Sequence, residues 1–465
     1  MRFALLSGQL DRLIALVLFL CGLSSSPDRL TTNSETSMQI LALFLVVFTI
    51  CACGAQTMPD IAGNWQGQQS KLKIARSGSG DLRAILHLDA TPPDYRTPLL
   101  APASSITFDG STLQISIDDL QVGYSLNYSG KLSADGNTIS GTLSYSPGES
   151  LPLVLFRVFP TKPITVHGLE ILLTQLRGHS DSSVENILRG FQLTQRLDTA
   201  SLAHLLSSLP GPKSVDALHI LAAESTFLDP PSSQIPVLAE PSAATQQAIV
   251  ARAVDYVTTA LHLQPNFYAT RITTTYRRNL WKEPTSKEVR RLSSTVVYRN
   301  GNEEREAKEK AKVQGITTSG EFGPILGTAM LDAAKGNLIW RRWQEGPVSP
   351  FAVFRYVVTA NQSHYEVDGM AAGYVGEITI DPSNGAIQRL VFLADMPNDG
   401  RLVNANIAVE YGPIELGGRT YTCPMHGLAL SDGFALMWLN EISFTRYHLF
   451  GTRMRILPAP LIDHH

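Results

Sequence analysis

The chain has 465 residues, of which 44% are hydrophobic, 17% charged and 8% aromatic, and 38 Lys+Arg against 41 Asp+Glu leave a formal net charge of −3. That balance excludes wholesale disorder and the strongly basic surface of a nucleic-acid binder, so no nucleic acid is expected as a partner. The length allows about three domains at about 150 residues each, and outside residues 1–55 no apolar run approaches the roughly 20 residues that span a bilayer.

Two apolar runs open the chain, residues 13–23 and 40–53. The second follows Met38 and ends in the small residues Ala52, Cys53, Gly54 and Ala55. This is the arrangement of an export signal's apolar core and cleavage site, so residues 1–55 are expected to be a leader. The start codon stays open between Met1, which adds Arg2, Arg12 and Arg29 as a positive flank, and Met38, which adds none. Three fates also stay open: cleavage after Ala55, an uncleaved anchor, or lipid attachment at Cys53, because residues 50–54 (ICACG) resemble a bacterial lipobox. Cys21, Cys51 and Cys53 lie in the leader, leaving Cys423 alone in the body. An intramolecular disulfide there is excluded, and Cys423 reads as a packed small hydrophobe.

Residues 60–158 read as short strands of period two: Leu113, Ile115 and Ile117, then Leu126, Tyr128 and Leu132, then Ile139, Leu143 and Tyr145. Asp109-Gly110 and Asp135-Gly136 supply the positive-φ glycines of tight hairpins. An antiparallel β-barrel is expected, closed because closure removes exposed strand edges. Residues 60–67 (DIAGNWQG) and 128–143 (YSGKLSADGNTISGTL) resemble the lipocalin-like barrel module of exported bacterial proteins. The resemblance implies that Trp65, in Gly63-x-Trp65, plugs the barrel floor. Read without it, Trp65 is a core side chain, because small barrels are filled by their own residues.

From 165 to 228 the period becomes helical. Leu169, Leu172, Leu173 and Leu176 share one face, as do Val184, Ile187, Leu188 and Phe191, and Leu202, Leu205, Leu206 and Leu209. A fourth helix is expected over 213–227, after Pro210-Gly-Pro212, and Ser182-x-x-Glu185 reads as a capping box. Residues 229–241 form a Pro/Ser-rich linker.

In residues 242–460, Ile249, Ala253, Val257 and Leu261 make a helical ridge. Long strands follow. Tyr268, Thr270, Ile272, Thr274 and Tyr276 alternate with Arg271, Thr273, Thr275 and Arg277, and Val403, Ala405, Ile407, Val409 and Tyr411 alternate with Asn404, Asn406 and Glu410. An antiparallel sheet with one wet face is predicted, with turns at Asn300-Gly301 and 381–385 and a helix over 325–334 crossing the dry face. Residues 373–390 (GYVGEITIDPSNGAIQRL) resemble the strand, Asp-Pro-x-x-Gly turn and strand of the envelope lipoprotein-carrier superfamily (LolA and MucB-type sensors). The resemblance implies a curved half-barrel around a helical plug, whose concave face holds acyl chains or reads lipoproteins. Ile272, Phe354, Tyr356 and Ile407 are the candidate ligand wall, and each also fits a plain core.

Chemistry is sparse. None of the eleven histidines forms His-Glu-x-x-His, and the Gly-x-Ser-x-Gly, phosphate-loop and dinucleotide signatures are missing from the sequence. No catalytic residue, metal or cofactor is therefore expected. Cys423-Pro-Met-His426 offers soft copper ligands, but strand alternation puts His426 on the face opposite Cys423 and Met425. Residues 271–312 hold twelve Lys/Arg against six Glu. Within them 302–312 (NEEREAKEKAK) reads as a solvated helix, and the whole as a basic rim for anionic headgroups or an acidic partner. Trp340 and Trp343 are expected on opposite faces of a strand.

The expected fold class is α+β multidomain: an antiparallel β-barrel, a small helical segment, then a curved antiparallel sheet with helices. The expected function is that of a non-enzymatic cell-envelope protein, exported to the periplasm or outer-membrane region and associated with membrane through its N-terminus, that binds a hydrophobic or lipidated ligand, either a lipid or a lipoprotein. Two alternatives stay open: a scaffold for another envelope protein without a small ligand, and an enzyme of unrecognised type. A polar pocket with clustered Asp, Glu or His would favour the enzyme.

Overall fold

The computed structural model describes residues 60–91, 97–119, 124–146, 148–260, 264–300, 302–305, 315–316, 320–333, 338–367, 369–396 and 402–450. The leader with Cys53, Leu261 and residues 306–312 of the charged stretch lie outside the described residues. Most of the rest is antiparallel sheet.

Nine strands make the first sheet: β1 Gly63–Gln66, β2 Ser70–Arg76, β3 Leu82–Thr91, β4 Thr97–Pro102, β5 Ser105–Phe108, β6 Thr112–Asp119, β7 Tyr124–Leu132, β8 Thr138–Ser146 and β9 Ser150–Arg157. Their order is β4-β3-β2-β1-β9-β8-β7-β6-β5. Gly110 (φ 100°) and Gly136 (φ 72°) take the left-handed turn conformation that the two Asp-Gly pairs announced. The period-two residues converge on one core containing Trp65, Leu72, Ile115, Tyr128 and Leu155. Trp65 is fully buried; its indole N–H donates to the Ile61 carbonyl at 3.1 Å, and the Arg157 guanidinium lies 4.3 Å from its ring centroid. The void left in this core is about 10 Å³, room for at most one water.

The expected hydrogen-bonded closure is not present among the described strand ladders, whose ends are β4 and β5. Instead Ala103 and Ser104 carry the chain across the seam. Ala103 N–H donates to Ala84 on β3 and Ser104 N–H to Ser116 on β6, both at 2.8 Å.

The helical segment comprises α1 Val166–Gln175, α2 Asp181–Leu188, α3 Thr199–Leu206 and α4 Pro212–Glu224, with a two-stranded parallel pair, β10 Lys162–Ile164 and β11 Phe191–Leu193. Leu169, Leu173, Val184, Leu188, Leu205, Leu218 and Leu221 form its core. The expected capping box does not form. Ser180 caps α2, accepting from Ser183 N–H at 3.4 Å, and Glu185 instead pairs with Arg189 one turn on. Phe191 leaves the helix and opens β11.

Ten strands make the second sheet, in the order β14-β13-β12-β23-β22-β21-β20-β19-β16-β15. They are β12 Phe267–Asn279, β13 Lys287–Arg299, β14 Asn302–Arg305, β15 Leu338–Gln344, β16 Phe351–Val358, β19 Gly373–Ile380, β20 Ile387–Asp395, β21 Leu402–Leu416, β22 Arg419–Gly433 and β23 Leu436–Leu449. A two-stranded hairpin, β17 Glu366–Val367 and β18 Met370–Ala371, sits in the loop before β19. The sheet curls into a half-barrel around α5 Ala243–Asp255, the π-helical turn Tyr256–Ala260 and α6 Pro324–Ala333. Ile249, Ala253, Val257, Leu326, Ala329 and Met330 pack there against Phe354, Tyr356, Ile378, Leu390, Ile407 and Val409. The turn after β19 is as predicted: Gly385 has φ 79°, and its N–H donates to the Asp381 carbonyl at 2.9 Å.

Three local expectations change. Asn302–Arg305 is strand β14, paired with β13, because the turn at Asn300 (φ 51°) returns the chain to that strand's open edge, where backbone pairing outweighs the helical charge spacing. A bulge between Trp340 and Arg342 puts both tryptophans on one side, their ring centroids 5.0 Å apart. On β12 the dry face belongs to Phe267 and Ala269, and Arg271 lies there buried against Glu321, while Tyr268 is exposed.

Part of the half-barrel's second face is covered as well. α4 lies on it, with Ile220 and Ala223 against Tyr276, Leu428 and Leu439. The first sheet is held at one end of the half-barrel. Lys73 Nζ reaches Asp432 at 2.5 Å and the Gly433 carbonyl at 2.7 Å, Arg83 pairs with Asp395, and Ala75 and Ile85 pack on Val403.

Candidate functional site

Between the helical segment and the outer face of β21–β23 lies a cavity of about 200 Å³. One wall is apolar and comes mainly from the helices: Leu202, Ala203 and Leu206 on α3, Ala222 and Ala223 on α4. The opposite wall is charged, with Glu410 on β21, His426 on β22 and Glu441 on β23, and the helical side adds three polar groups: Arg196 and Thr199, before and at the start of α3, and His219 on α4. The helix starts order the helical side. Asp198 caps α3, accepting from Ser201 N–H at 2.8 Å. Pro212 opens α4, and Asp181 of α2 accepts from the N–H (2.9 Å) and hydroxyl (2.7 Å) of Ser214.

The charged wall is built from strand register. Arg389, Glu410 and His426 are direct partners across β20, β21 and β22. Arg389 Nε lies 3.5 Å from Glu410 Oε1, and Arg389 Nη2 donates to the Thr226 carbonyl at 2.6 Å, tying the sheet to the end of α4. The second oxygen of Glu410 accepts from the Thr199 hydroxyl at 3.0 Å. Glu441 receives His426 Nε2 at 3.2 Å and the Tyr276 hydroxyl at 3.4 Å. Next to this row Arg342 holds Glu377 by two hydrogen bonds of 2.9 and 2.7 Å.

The fields of these groups follow from burial and neighbours. Burial works to raise Glu410, but Arg389, His426, Arg196 and the Thr199 hydroxyl outweigh it, so its pKa is lowered from 4.5. Glu441 is lowered in the same way, with the His426 hydrogen bond overcoming burial. For His426, burial lowers the pKa, yet the Glu441 hydrogen bond and the Glu410 charge bring the net shift above 6.5. Arg389 is pushed down to about 9, first by burial and then by the like charge of Arg196. Both guanidinium groups stay protonated near neutral pH, so the depression measures two cations buried close together.

Arg196 is only 4% exposed, and its Nε is buried without a hydrogen-bond partner. Among the described residues its guanidinium makes neither hydrogen bond nor ion pair.

The wall expected from sequence lies elsewhere. Phe354, Tyr356 and Ile407 come together in the core around α5 and α6, where the Tyr356 hydroxyl donates to the Val391 carbonyl. Ile272 is half-buried and, by strand alternation, on the other face. Cys423 is buried in an aromatic cluster with Phe267, Tyr298 and Phe444, and burial pushes its thiol up to about 12. His426 faces the cavity, and Met425 is exposed at the bulge opposite Glu410 and Tyr411, so the Cys-Pro-Met-His run is spread over different surroundings. Nothing in the sequence marks Arg196, and Glu410 reads there as a wetted side chain. The one available signal was four ionisable residues on consecutive strands, Arg389, Glu410, His426 and Glu441, and it is meaningful only once register is known.

No protein-family model matches the chain, and comparison with curated proteins finds no relative.

Proposed function

We propose that this is a binding protein, and that the cavity between the helical segment and the half-barrel holds a small amphipathic molecule. The observation that carries this reading is the division of one cavity into an aliphatic wall and a wall of buried, ordered charges, the pattern of pockets that bury a ligand's body and orient its head. At about 200 Å³ the cavity suits a short apolar chain with a polar head, and a lipid or lipoprotein would enter it by such a part.

The cellular setting rests on the leader: export to the envelope, with membrane association through Cys53 or an uncleaved anchor. The half-barrel is read as carrier-like, with α5 and α6 as its plug, and the first sheet as a lipocalin-like barrel that serves as a docking module. The basic stretch before 312 is its contact for an envelope partner. A hydrolase is the second reading, favoured by the grouping of Glu410, His426 and Glu441. In it the ionised carboxylates would serve as base and His426 as acid, but each carboxylate is already bonded within the protein, Glu410 to Thr199 and Glu441 to His426.

Native mass spectrometry of the full-length protein purified from its own cells tests the binding reading. A small-molecule adduct is expected, and Ala203→Trp, which fills the cavity from the exposed face of α3, should remove it. An adduct-free wild type that also shows no thermal shift with any member of a small-molecule library would defeat the proposal.

A further inference from the structure

We propose that Arg196 is an anion anchor: the molecule held in this cavity carries a carboxylate or phosphate group that pairs with the Arg196 guanidinium, and a short apolar tail that lies along Leu202, Leu206 and Ala223. This rests on the cavity being a binding site and names the chemistry it selects.

Among the described residues, the buried polar side-chain atoms lining the cavity that lack a hydrogen-bond partner both come from its helical side. Each carboxylate is used by the protein: Glu410 by Arg389 and Thr199, Glu441 by His426 and Tyr276. The orphaned groups are Arg196 Nε, buried without a partner, and the imidazole Nδ1 of His219, likewise. Burying a guanidinium without a counter-ion is costly, and proteins rarely leave one so. Here it is held in place by its backbone, whose N–H donates to the Asp229 carbonyl at 2.8 Å. Its planar fork matches the two oxygens of a carboxylate or phosphate.

The surrounding charge points the same way. Arg389 lies close enough that the two cations disfavour each other, and Arg342 adds a third. Glu410 is the main attraction Arg196 feels, with Asp198 and Glu377 behind it, yet none of them is in direct contact. An incoming anion relieves that crowding. A cationic ligand would meet the Arg196 guanidinium, with the charges of Arg389 and Arg342 behind it, and two carboxylates already engaged, and a neutral alkane would leave Arg196 as it is.

Isothermal titration calorimetry of the full-length protein with hexanoate, hexyl phosphate, hexanol and hexylammonium tests this. The acids are expected to bind at least about tenfold more tightly than the alcohol, the scale of one charge-assisted hydrogen-bonded pair; hexylammonium should not bind. The ratio of hexanoate to hexyl phosphate affinity distinguishes a carboxylate from a phosphate ligand. Arg196→Gln should weaken the acids by about tenfold or more while leaving the ligand-free melting temperature equal or higher, because a lone buried charge is gone. Arg196→Lys should keep part of the affinity.

Hexylammonium binding more tightly than hexanoate, or acid affinity unchanged in Arg196→Gln, overturns the anchor and leaves the cavity as a binding site. Loss of folding in both Arg196 variants also overturns it, since that assigns the side chain a structural role. Failure of all four probes together with an Ala203→Trp protein indistinguishable from wild type in native mass spectrometry removes the anchor and the binding reading with it.

Discussion

His426 shows how a residue read as half of a metal motif acquires another role from its neighbours. It faces Glu410 from β21, Glu441 from β23, Arg389 from β20, and Arg196 and His219 from the helical side. Its pKa is raised above 6.5 in the fold, so its stabilising contribution is complete below about pH 6.5 and is lost as pH rises through the raised value. Glu410 and Glu441 are lowered from 4.5, so theirs is present above about pH 4.5 and lost as pH falls through the lowered values. Thermal melting against pH should show its maximum between these limits, and His426→Gln should flatten the decline on the alkaline side and, because His426 also helps to lower Glu410 and Glu441, weaken the acid-side decline as well. An unchanged alkaline slope in that variant would contradict the assignment. Composition made none of this legible. A histidine two residues from a proline in a strand carries no mark of its partners, which come from strands 15 and more residues away in sequence.

At the scale of strands, both sheets use one device that a sequence reads only as weakness. Gly376 in β19 and Gly130 in β7 lie in strand interiors, where glycine forgoes packing. A side chain at Gly376 would collide with the Tyr356 hydroxyl and the Val391 carbonyl, and one at Gly130 with the Tyr128 ring. In each case a neighbouring tyrosine covers the glycine, and the Tyr356 hydroxyl reaches the Val391 carbonyl across it. Gly376→Ala should therefore cost about 1–3 kcal/mol by overpacking, read as a shift in the denaturation midpoint, and Tyr356→Phe in the same background should recover part of it. A Gly376→Ala protein as stable as wild type would show that the hydroxyl's position is incidental. The elements themselves were mostly legible, since period two, period 3.6 and Asp-Gly turns are local. Elements that failed did so where a non-local partner decided: β14 by the open edge of β13, and the Trp340–Trp343 face by a bulge against β16.

From Asp60 onward the molecule is one compact unit, and a buried ion pair joins its first sheet to the half-barrel. Lys73 is 4% exposed and paired with Asp432, and its pKa is lowered by burial, with Asp432 restoring part of the loss. Removing one member leaves the other uncompensated, so Lys73→Met should cost about 3 kcal/mol, the low end for a broken buried pair because Asp432 keeps some solvent. The double variant Lys73→Met with Asp432→Leu should recover most of that in a double-mutant cycle on urea denaturation. Purely additive losses would mean that the pair does not couple the first sheet to the half-barrel. The sequence by itself determined the β-rich class, the hairpin turns, the helical segment and the helix across the dry face, because each depends on periodicity and turn chemistry within a few residues. Tertiary structure alone decided that α4 covers part of the half-barrel's second face, and that Arg196, Glu410, His426 and Glu441 meet in one cavity there. Side-chain polarity in a strand reports only that a group needs a partner. Whether that partner is water, a buried counter-ion or a ligand is settled by what packs over it.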